Sequence, residues 1–429
     1  MDAANQGFQT GARGFQKTLE RVLVAMPAAM FAAALAAAFA VTLCITPLPA
    51  CAQTLKIGLT GPFSGGSSPM GESMRNGVRL AVSEINGAGG IAGVPIELIE
   101  RDDAANEVTG AKIAEELTHQ QVVATIGIVN TGVGLASIDH YQRSKIPLIV
   151  AVSTGPVLTR KFAPPAASAN FIFRVSPTLD LEARVLAADL RKKSLLRVAL
   201  LADTTPYGDS GVQAFAEQAR IAGLDLVAQL RFRIGETDMS GLIRRARAAG
   251  AQVVVAWGIG PELAAIARTM QSVGWRVPLM GSWTLSMRNF IDAAGAAGDG
   301  ALMPQTFIQD AGSTAKNSFL LAYRRLFRTD LIPSPMSAAQ GYDGMHLLAH
   351  AIRQARSSDG DAIRRALENL HFRYQGVVTS YENPFSAQDH DAITANMIVI
   401  GKVSTGRVDY AYREDQQRSA LLRVKLGGN

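Results

Sequence analysis

The stretch Val122-Val123-Ala124-Thr125-Ile126 is apolar at every position but one. A short run of this kind, rich in β-branched residues, is typical of a parallel β-strand that is buried on both faces. Similar runs lie on both sides of it, at residues 55–59, 94–100 and 146–152. Together these four runs predict one lobe that is built on a parallel sheet.

Segments with the spacing of amphipathic helices separate the predicted strands. In the first of them Met74, Val78 and Ile85 recur at helical intervals, and residues 107–119 carry their apolar side chains on one face. The period of the hydrophobic pattern therefore changes from 2 to 3.6 and back along the chain. This alternation predicts an α/β fold.

A second series of the same kind begins near Pro177 and predicts a second α/β lobe. Glycines directly after three predicted helices support the helix ends, because glycine adopts the left-handed conformation that ends a helix. The predicted strands are residues 197–202, 226–232, 253–257, 277–281 and 302–307, and the predicted helices are residues 210–222, 238–249, 261–273, 316–327 and 338–356.

The first 52 residues have the organisation of a secretory signal peptide. Three basic residues among the first 21 precede residues 22–53, which carry no charge and include Pro47-Leu48-Pro49-Ala50-Cys51-Ala52. A basic segment, an apolar segment and a small-residue cleavage site in this order predict export to the periplasm, with a mature chain that begins at Gln53. Acylation of Cys51 would instead give a lipid-anchored form, and an uncleaved membrane anchor is a third interpretation.

Composition excludes several classes of protein. The 429 residues have a net charge of +6, but their Lys and Arg residues are scattered among 36 acidic residues, so no nucleic-acid partner is expected. The two cysteines both precede residue 52 and leave none for a disulfide in the mature chain.

The motifs of nucleotide-binding loops, serine hydrolases and zinc proteases do not occur in the sequence. We therefore expect no cofactor, no metal site and no enzymatic activity.

Two histidine-containing segments favour structural interpretations. His346 and His350 are four residues apart on a predicted helix, and no acidic residue between them completes a zinc motif. We interpret that pair as part of a solvent-facing helix surface. Asp389-His390-Asp391 lies in a polar segment and is interpreted as a solvated turn.

Small polar residues follow two predicted strands of the first lobe. Asn130-Thr131-Gly132 comes after the third strand, and Ser153-Thr154-Gly155 comes after the fourth. Ligands of open α/β sheets bind at the carboxyl ends of the strands, and hydroxyls and N–H groups at helix N-termini suit a carboxylate. Ser and Thr are also ordinary helix caps, so both interpretations stay open at this point.

Several short segments, spread over residues 54–410, occur together with a recognisable spacing. They are Gly61-Pro62-Phe63-Ser64-Gly65, Gly89-Gly90-Ile91-Ala92-Gly93, Asp102-Asp103-Ala104, Tyr207-Gly208 and Gln340-Gly341-Tyr342-Asp343-Gly344. In this combination the sequence resembles periplasmic solute-binding proteins of the leucine/isoleucine/valine-binding family. The resemblance implies a small-molecule ligand and, as partner, the permease subunits of an ABC transporter in the inner membrane.

The resemblance also implies the architecture of the mature chain. Two flavodoxin-like lobes of the type I periplasmic-binding-protein fold would be joined by a hinge of three crossings and would close on the ligand. The N-terminal lobe would comprise residues 53–174 and 305–375, and the C-terminal lobe residues 175–304 and 376–429.

Ligand contacts at definite positions follow from the same resemblance. Thr131, the backbone of Ser153, and Thr154 would hold a carboxylate from the first lobe, and Tyr207 would face it from the second. Trp283 stands where the amino-acid binders of the family carry an acid that pairs with the ligand ammonium group. Burial of an ammonium group without such a partner costs several kcal/mol. The predicted ligand is therefore a carboxylate or amide with an aromatic or aliphatic body.

Apolar side chains complete the predicted pocket. Met70 and Ile259 stand where the family has aromatic residues, and Phe63 and Trp257 are further candidates for the pocket lining. Core packing is an equally good interpretation of Trp257, which ends a predicted strand.

Two alternative functions remain at this point. The chain could be a true branched-chain amino acid binder in which Glu262 or Asp310 pairs with the ammonium group. It could also be a ligand-sensing module that presents its closed form to a membrane receptor.

Overall fold

Five parallel strands form the first sheet. They are β1 (Leu55–Gly61), β2 (Ile96–Asp102), β3 (Ala124–Gly127), β4 (Leu148–Val150) and β5 (Ile172–Arg174), in the order β2-β1-β3-β4-β5. Every residue of β3 and β4 is buried, which explains why these two strands are apolar along almost their whole length. The strand β5 is absent from the sequence-based prediction because the apolar run around it, residues 171–173, ends at Arg174 and is too short to show a period.

The computed structural model describes residues 54–310, 312–420 and 424–425. The predicted signal peptide, including Cys51, lies outside these residues. Within the described part of the chain, no helix has both the length and the hydropathy that a membrane crossing requires.

Four helices connect the strands of the first sheet. They are α1 (Ser68–Gly87), α2 (Glu107–His119), α3 (Thr131–Ser144) and α4 (Val157–Arg160). Asn106 caps α2, since its side chain accepts the backbone N–H of Thr109 at 2.9 Å. The helix α3 begins four residues after β3 ends, so its N-terminus lies at the carboxyl edge of the sheet.

Seven strands form the second sheet, and the first five of them along the chain repeat the order of the first sheet. They are β6 (Arg197–Asp203), β7 (Asp225–Phe232), β8 (Val253–Trp257), β9 (Leu279–Gly281) and β10 (Leu302–Gln305). After the two-stranded pair β11 (Tyr374–Gln375) and β12 (Ser380–Tyr381), the strands β13 (Val399–Ser404) and β14 (Arg407–Tyr410) extend the second sheet in antiparallel fashion. The order is β14-β13-β10-β9-β8-β6-β7.

The remaining helices pack on both lobes. They are α5 (Leu179–Lys192), α6 (Pro206–Ala222), α7 (Ser240–Ala248), α8 (Gly260–Ser272), α9 (Arg288–Ala294), α10 (Thr314–Phe327), α11 (Pro335–Ala355), α12 (Gly360–Glu368) and α13 (Arg413–Ala420), with short 3₁₀ turns at 283–286, 295–298 and 395–397. The prediction of an α/β fold with two flavodoxin-like lobes is confirmed. Most predicted elements differ from the observed ones by two or three residues at their ends.

The chain returns to the first lobe after it has built most of the second sheet. The helix α11 packs along α1, and the backbones approach so closely that a Cβ on Gly77 would lie 2.0 Å from the carbonyl oxygen of Ala338. Only glycine fits at this contact. The exact domain boundaries stay a prediction.

The interpretation of Asp389-His390-Asp391 as a solvated turn is wrong for its central residue. His390 is 4% exposed, its ring stacks on Phe173 at 3.9 Å, and its Nδ1 lies 2.9 Å from the carbonyl oxygen of Ile172. Asp391 accepts hydrogen bonds from Arg174, whose side chain is fully buried. The segment is drawn inward because a buried guanidinium needs an acidic partner.

His346 and His350 are half-buried and do not form a solvent-facing surface. The ring of His346 lies 4.5 Å from that of Tyr342, and the ring of His350 stacks on Phe372 at 4.4 Å. Burial lowers the pKa of His350 to about 4. No group of three potential metal ligands occurs among the described residues.

Candidate functional site

A small cavity lies where the carboxyl ends of strands from both sheets face each other. The volume of the cavity is about 20 Å³, which is enough for a single water molecule and too little for an organic ligand. Its walls are formed by Met70, Val129, Asn130, Thr131, Val152 and Thr154 on the side of the first sheet, and by Tyr207, Ile259, Trp283 and Thr284 on the side of the second.

Hydroxyl groups line the first-sheet wall. Thr131 is the first residue of α3 and is 1% exposed, and its Oγ1 lies 3.1 Å from Oγ of Ser153. The Oγ1 atom of Thr154 is buried and has no hydrogen-bond partner among the described residues. A buried hydroxyl without a partner loses its hydrogen bond to water, so this wall retains an unused donor and acceptor.

The loops that carry these hydroxyls are joined through their backbones. Ile128 has a φ of 61°, which is unusual for a β-branched residue, and its carbonyl accepts the N–H of Ser153 at 3.0 Å. Arg174 donates to the carbonyl oxygen of Gly155 at 2.6 Å, directly after Thr154. These bonds hold the loops after β3 and β4 in one arrangement.

Aromatic and hydroxyl groups form the second-sheet wall. Tyr207 is the second residue of α6, and Trp283 begins the 3₁₀ turn after β9. The hydroxyl of Tyr207 lies near those of Ser282 and Thr284, which bond to each other at 2.7 Å, and it forms no hydrogen bond of good geometry among the described residues. Burial and the nearby Glu182 raise the pKa of Tyr207, so its hydroxyl remains a neutral donor.

Glu182 is a residue near the site that the sequence analysis missed. Its carboxyl group is fully buried, and its Oε2 accepts the backbone N–H of Trp283 at 3.4 Å. The signal was present in the sequence, because Glu182 occupies the same helix face as Leu179 and Leu186, three residues before and four residues after it. A buried position on an amphipathic helix that carries an acid is a candidate functional position.

The structure brings together most of the predicted contact residues. Met70, Thr131, Thr154, Tyr207 and Trp283 line the cavity together with Ile259. Ser153 is not part of the lining but touches it through its contact with Thr131.

Two aromatic candidates lie away from the cavity lining. Phe63 is half-buried beneath the guanidinium of Arg75, at 4.6 Å from it. Trp257 is fully buried in the second lobe, and its ring lies 5.8 Å from that of Phe215, so its role is core packing.

The two acids considered as alternative partners for an ammonium group are engaged elsewhere. Glu262 accepts the backbone N–H of Gly235 at 2.6 Å. Asp310 forms an ion pair with Lys316 at 2.7 Å. Neither residue belongs to the cavity lining.

The sequence matches a known protein family and its members. Residues 54–407 match the profile of a family described as periplasmic binding protein. The Leu/Ile/Val-binding protein homolog 2 of Brucella abortus (strain 2308) is 27% identical over 317 residues, which cover 73% of this chain and 82% of the relative.

Solved structures agree with this match. The periplasmic binding protein type 1 from Bordetella pertussis Tohama I has a TM-score of 0.76 and 28% identity, covering 83% of this chain and 100% of that one. An ABC-transporter solute-binding protein from Rhodopseudomonas palustris BisB5, in complex with 3,4-dihydroxybenzoic acid, has a TM-score of 0.70 and 21% identity, covering 82% of this chain and 93% of that one.

Proposed function

The chain belongs to the periplasmic binding protein family, and on that premise we propose that it is the solute-binding component of an ABC importer. Members of this family bind small molecules and work with ABC-transporter permeases. The ligand proposed here is a small organic carboxylate or amide that is held between the two lobes.

One observation carries the proposal. Thr154 and Tyr207 line the same cavity from opposite lobes, and neither the buried Oγ1 of Thr154 nor the buried hydroxyl of Tyr207 forms a hydrogen bond of good geometry among the described residues. A buried polar group that forms no hydrogen bond costs about 1–3 kcal/mol. A carboxylate between these two hydroxyls would accept a hydrogen bond from each of them and would remove that cost.

The rest of the lining favours an apolar ligand body. Met70, Ile259 and Trp283 contribute hydrophobic surface, and no acidic side chain is part of the described lining. The Rhodopseudomonas palustris neighbour binds an aromatic acid, whereas the Brucella abortus relative is named for branched-chain amino acids. We favour the aromatic or aliphatic acid because an ammonium group would find no carboxylate in the lining.

The size of the cavity supports a mechanism of opening and closure. A space that holds one water molecule admits an organic ligand only if its two walls move apart. Since the walls belong to different sheets, a rotation of the lobes about the segments that connect them opens the site without disturbing either core. The closed, liganded form would then be the one that the permease recognises.

A ligand screen tests the proposed substrate class. Benzoate and 4-methylpentanoate should raise the melting temperature by several degrees at about 100 times their dissociation constants, where binding stabilises by roughly 2.7 kcal/mol. Leucine, isoleucine and valine should give smaller shifts. Tight leucine binding with no effect of either acid would contradict the proposal.

A substitution at Thr154 tests whether this cavity is the binding site for the carboxylate. Thr154→Val keeps the shape but removes the hydroxyl, and the affinity for a carboxylate should fall about ten- to hundredfold, because a hydrogen bond to a charged group is worth about 1.5–3 kcal/mol. Thr118→Val, at a half-exposed position on α2 away from the cavity, is the matched control and should bind as the wild type does.

Export is the remaining part of the proposal. The family is periplasmic, and we propose that residues 1–52 direct this chain there and are removed. Mass spectrometry of the mature protein should find Gln53 at the N-terminus, or a lipidated Cys51 if the alternative cleavage is used.

A further inference from the structure

Glu182 lies in α5, behind the second-sheet wall of the cavity. Its side chain is fully buried, and Oε2 accepts the backbone N–H of Trp283 at the long distance of 3.4 Å. The other oxygen, Oε1, has no hydrogen-bond partner among the described residues. Trp283 and Tyr207 line the cavity whereas Glu182 does not, and Glu182 interacts with both of them, so its carboxyl group lies one residue behind the cavity wall.

No cation balances this carboxyl group. None of the ion pairs formed by the described residues includes Glu182. The titratable group that faces it is Tyr207 on α6, and Asp203 at the end of β6 acts in turn on Tyr207. The 3₁₀ turn at 283–286 contributes the Trp283 N–H. The strand β10, which packs against α5, carries the neutral amide of Gln305, which donates to the Trp283 carbonyl oxygen, and the turn at 395–397 has no ionisable side chain.

We propose that Glu182 is kept uncharged behind Trp283 and Tyr207 and thereby makes the cavity selective for anionic ligands. This inference rests on the proposed function, because it concerns the charge that lies next to the carboxylate that Thr154 and Tyr207 would hold. A neutral acid at this place leaves the cavity without the negative charge that an ammonium group requires. An ionised one would repel a carboxylate ligand through the wall.

The protonation state follows from burial. Removal of the carboxyl group from water raises the pKa of Glu182 to about 8, against the opposing effect of the Trp283 N–H. The pKa of Tyr207 is raised as well, so Tyr207 stays neutral over the same range. Binding of an anion is therefore linked to the protonation of Glu182, and at pH values above about 8 it is accompanied by the uptake of one proton from solvent.

The first experiment follows the affinity for benzoate by calorimetry between pH 6 and pH 9. We expect about a tenfold loss of affinity between pH 7 and pH 9 for the wild type, because the neutral fraction of Glu182 falls by about that factor. Glu182→Gln, which is neutral at every pH, should bind within about twofold of wild type at pH 7 and should lose the pH dependence. Glu115→Gln, at an exposed position on α2, should keep it.

The opposite results overturn the inference. One is a benzoate affinity that falls by the same factor between pH 7 and pH 9 in the wild type and in Glu182→Gln. Another is leucine binding that Glu182→Gln weakens more than about tenfold, because an ionised Glu182 would then be pairing with an ammonium group.

A second measurement does not depend on any ligand. Carbon-13 NMR of protein labelled at the glutamate carboxyl carbons, with Glu182→Gln for assignment, should show Glu182 titrating near pH 8. Titration near 4.5 overturns the inference even if the proposed function holds. If benzoate, 4-methylpentanoate and leucine all fail to bind, the proposed ligand class fails, and with it the selectivity assigned to Glu182, whereas the titration still decides whether Glu182 is uncharged.

Discussion

The side-chain amide of Asn289 donates a hydrogen bond to the backbone carbonyl of Gly66 at 3.2 Å. Asn289 belongs to α9 in the second lobe, and Gly66 lies in the loop between β1 and α1 in the first. The bond therefore joins the two lobes and stabilises the arrangement in which the structure holds them.

Loss of this bond should favour an open form. A single hydrogen bond contributes about 0.5–1.5 kcal/mol, so Asn289→Ala should shift the balance between closed and open forms by roughly two- to tenfold. Small-angle scattering of the ligand-free protein should show a larger radius of gyration. Asn369→Ala, which removes a bond to the carbonyl oxygen of Arg365 at the C-terminal end of α12, is the control and should leave the radius unchanged.

Gly155 has no side chain, and Thr131 occupies the space that a side chain at position 155 would fill. A Cβ at this position would lie 2.5 Å from Cγ2 of Thr131, so Gly155→Ala should displace the threonine from the cavity wall. We expect at least a tenfold loss of affinity for a carboxylate in calorimetry. Gly241→Ala, where a Cβ meets no atom within 4 Å, should retain full affinity, and equal affinity in both variants would contradict this role of Gly155.

Arg174 holds the binding loop from within the core. It donates to Asp391 at 2.7 Å and to the carbonyl oxygen of Gly155 at 2.6 Å, and its side chain is fully buried. Arg174→Met should reduce the free energy of unfolding by about 3–5 kcal/mol, because both partners lose a buried donor. Urea denaturation measures this loss. Arg407→Met, at an exposed ion pair with Asp409, should cost less than about 1 kcal/mol.

Two neighbouring acids should affect stability with opposite dependence on pH. Burial raises the pKa of Asp103 to about 6, whereas Asp102 has a lowered pKa because hydrogen bonds from Ser64, Ala104 and Phe63 outweigh its own desolvation. Asp103 therefore contributes stability below its unfolded pKa of 3.8 that is lost as the pH rises through 6. Asp102 contributes stability at higher pH that is lost as the pH falls below 3.8.

Denaturation of the two asparagine variants between pH 3 and pH 7 measures this difference. Relative to wild type, Asp103→Asn should become more stable from pH 4 to pH 6, by at most about 1.4 kcal/mol per pH unit. Asp102→Asn should be less stable than wild type at neutral pH and should approach it in acid. Parallel profiles for the two variants would show that their environments do not differ as described.

The strands and helices could be predicted because they depend on the pattern of neighbouring residues in the sequence. Runs such as Val122-Val123-Ala124-Thr125-Ile126 identify buried strands because hydrophobic period is a property of adjacent residues. His390 was misjudged because its neighbours in sequence are polar, whereas its neighbours in space are Phe173 and the carbonyl of Ile172. Trp257 stayed ambiguous for the same reason, since a strand end can face a cleft or a core.

The sequence by itself determined the alternation of strand and helix and the placement of Thr131 and Thr154 after parallel strands, because both depend on short spacings along the chain. Only the tertiary structure decided that Glu182 lies behind Trp283, which is 101 residues away in the chain. Such a contact depends on how helix α5 packs beside the second sheet, and no local period encodes that packing. The pKa of a buried group follows from what surrounds it in space, so the charge state of Glu182 is likewise set by the fold.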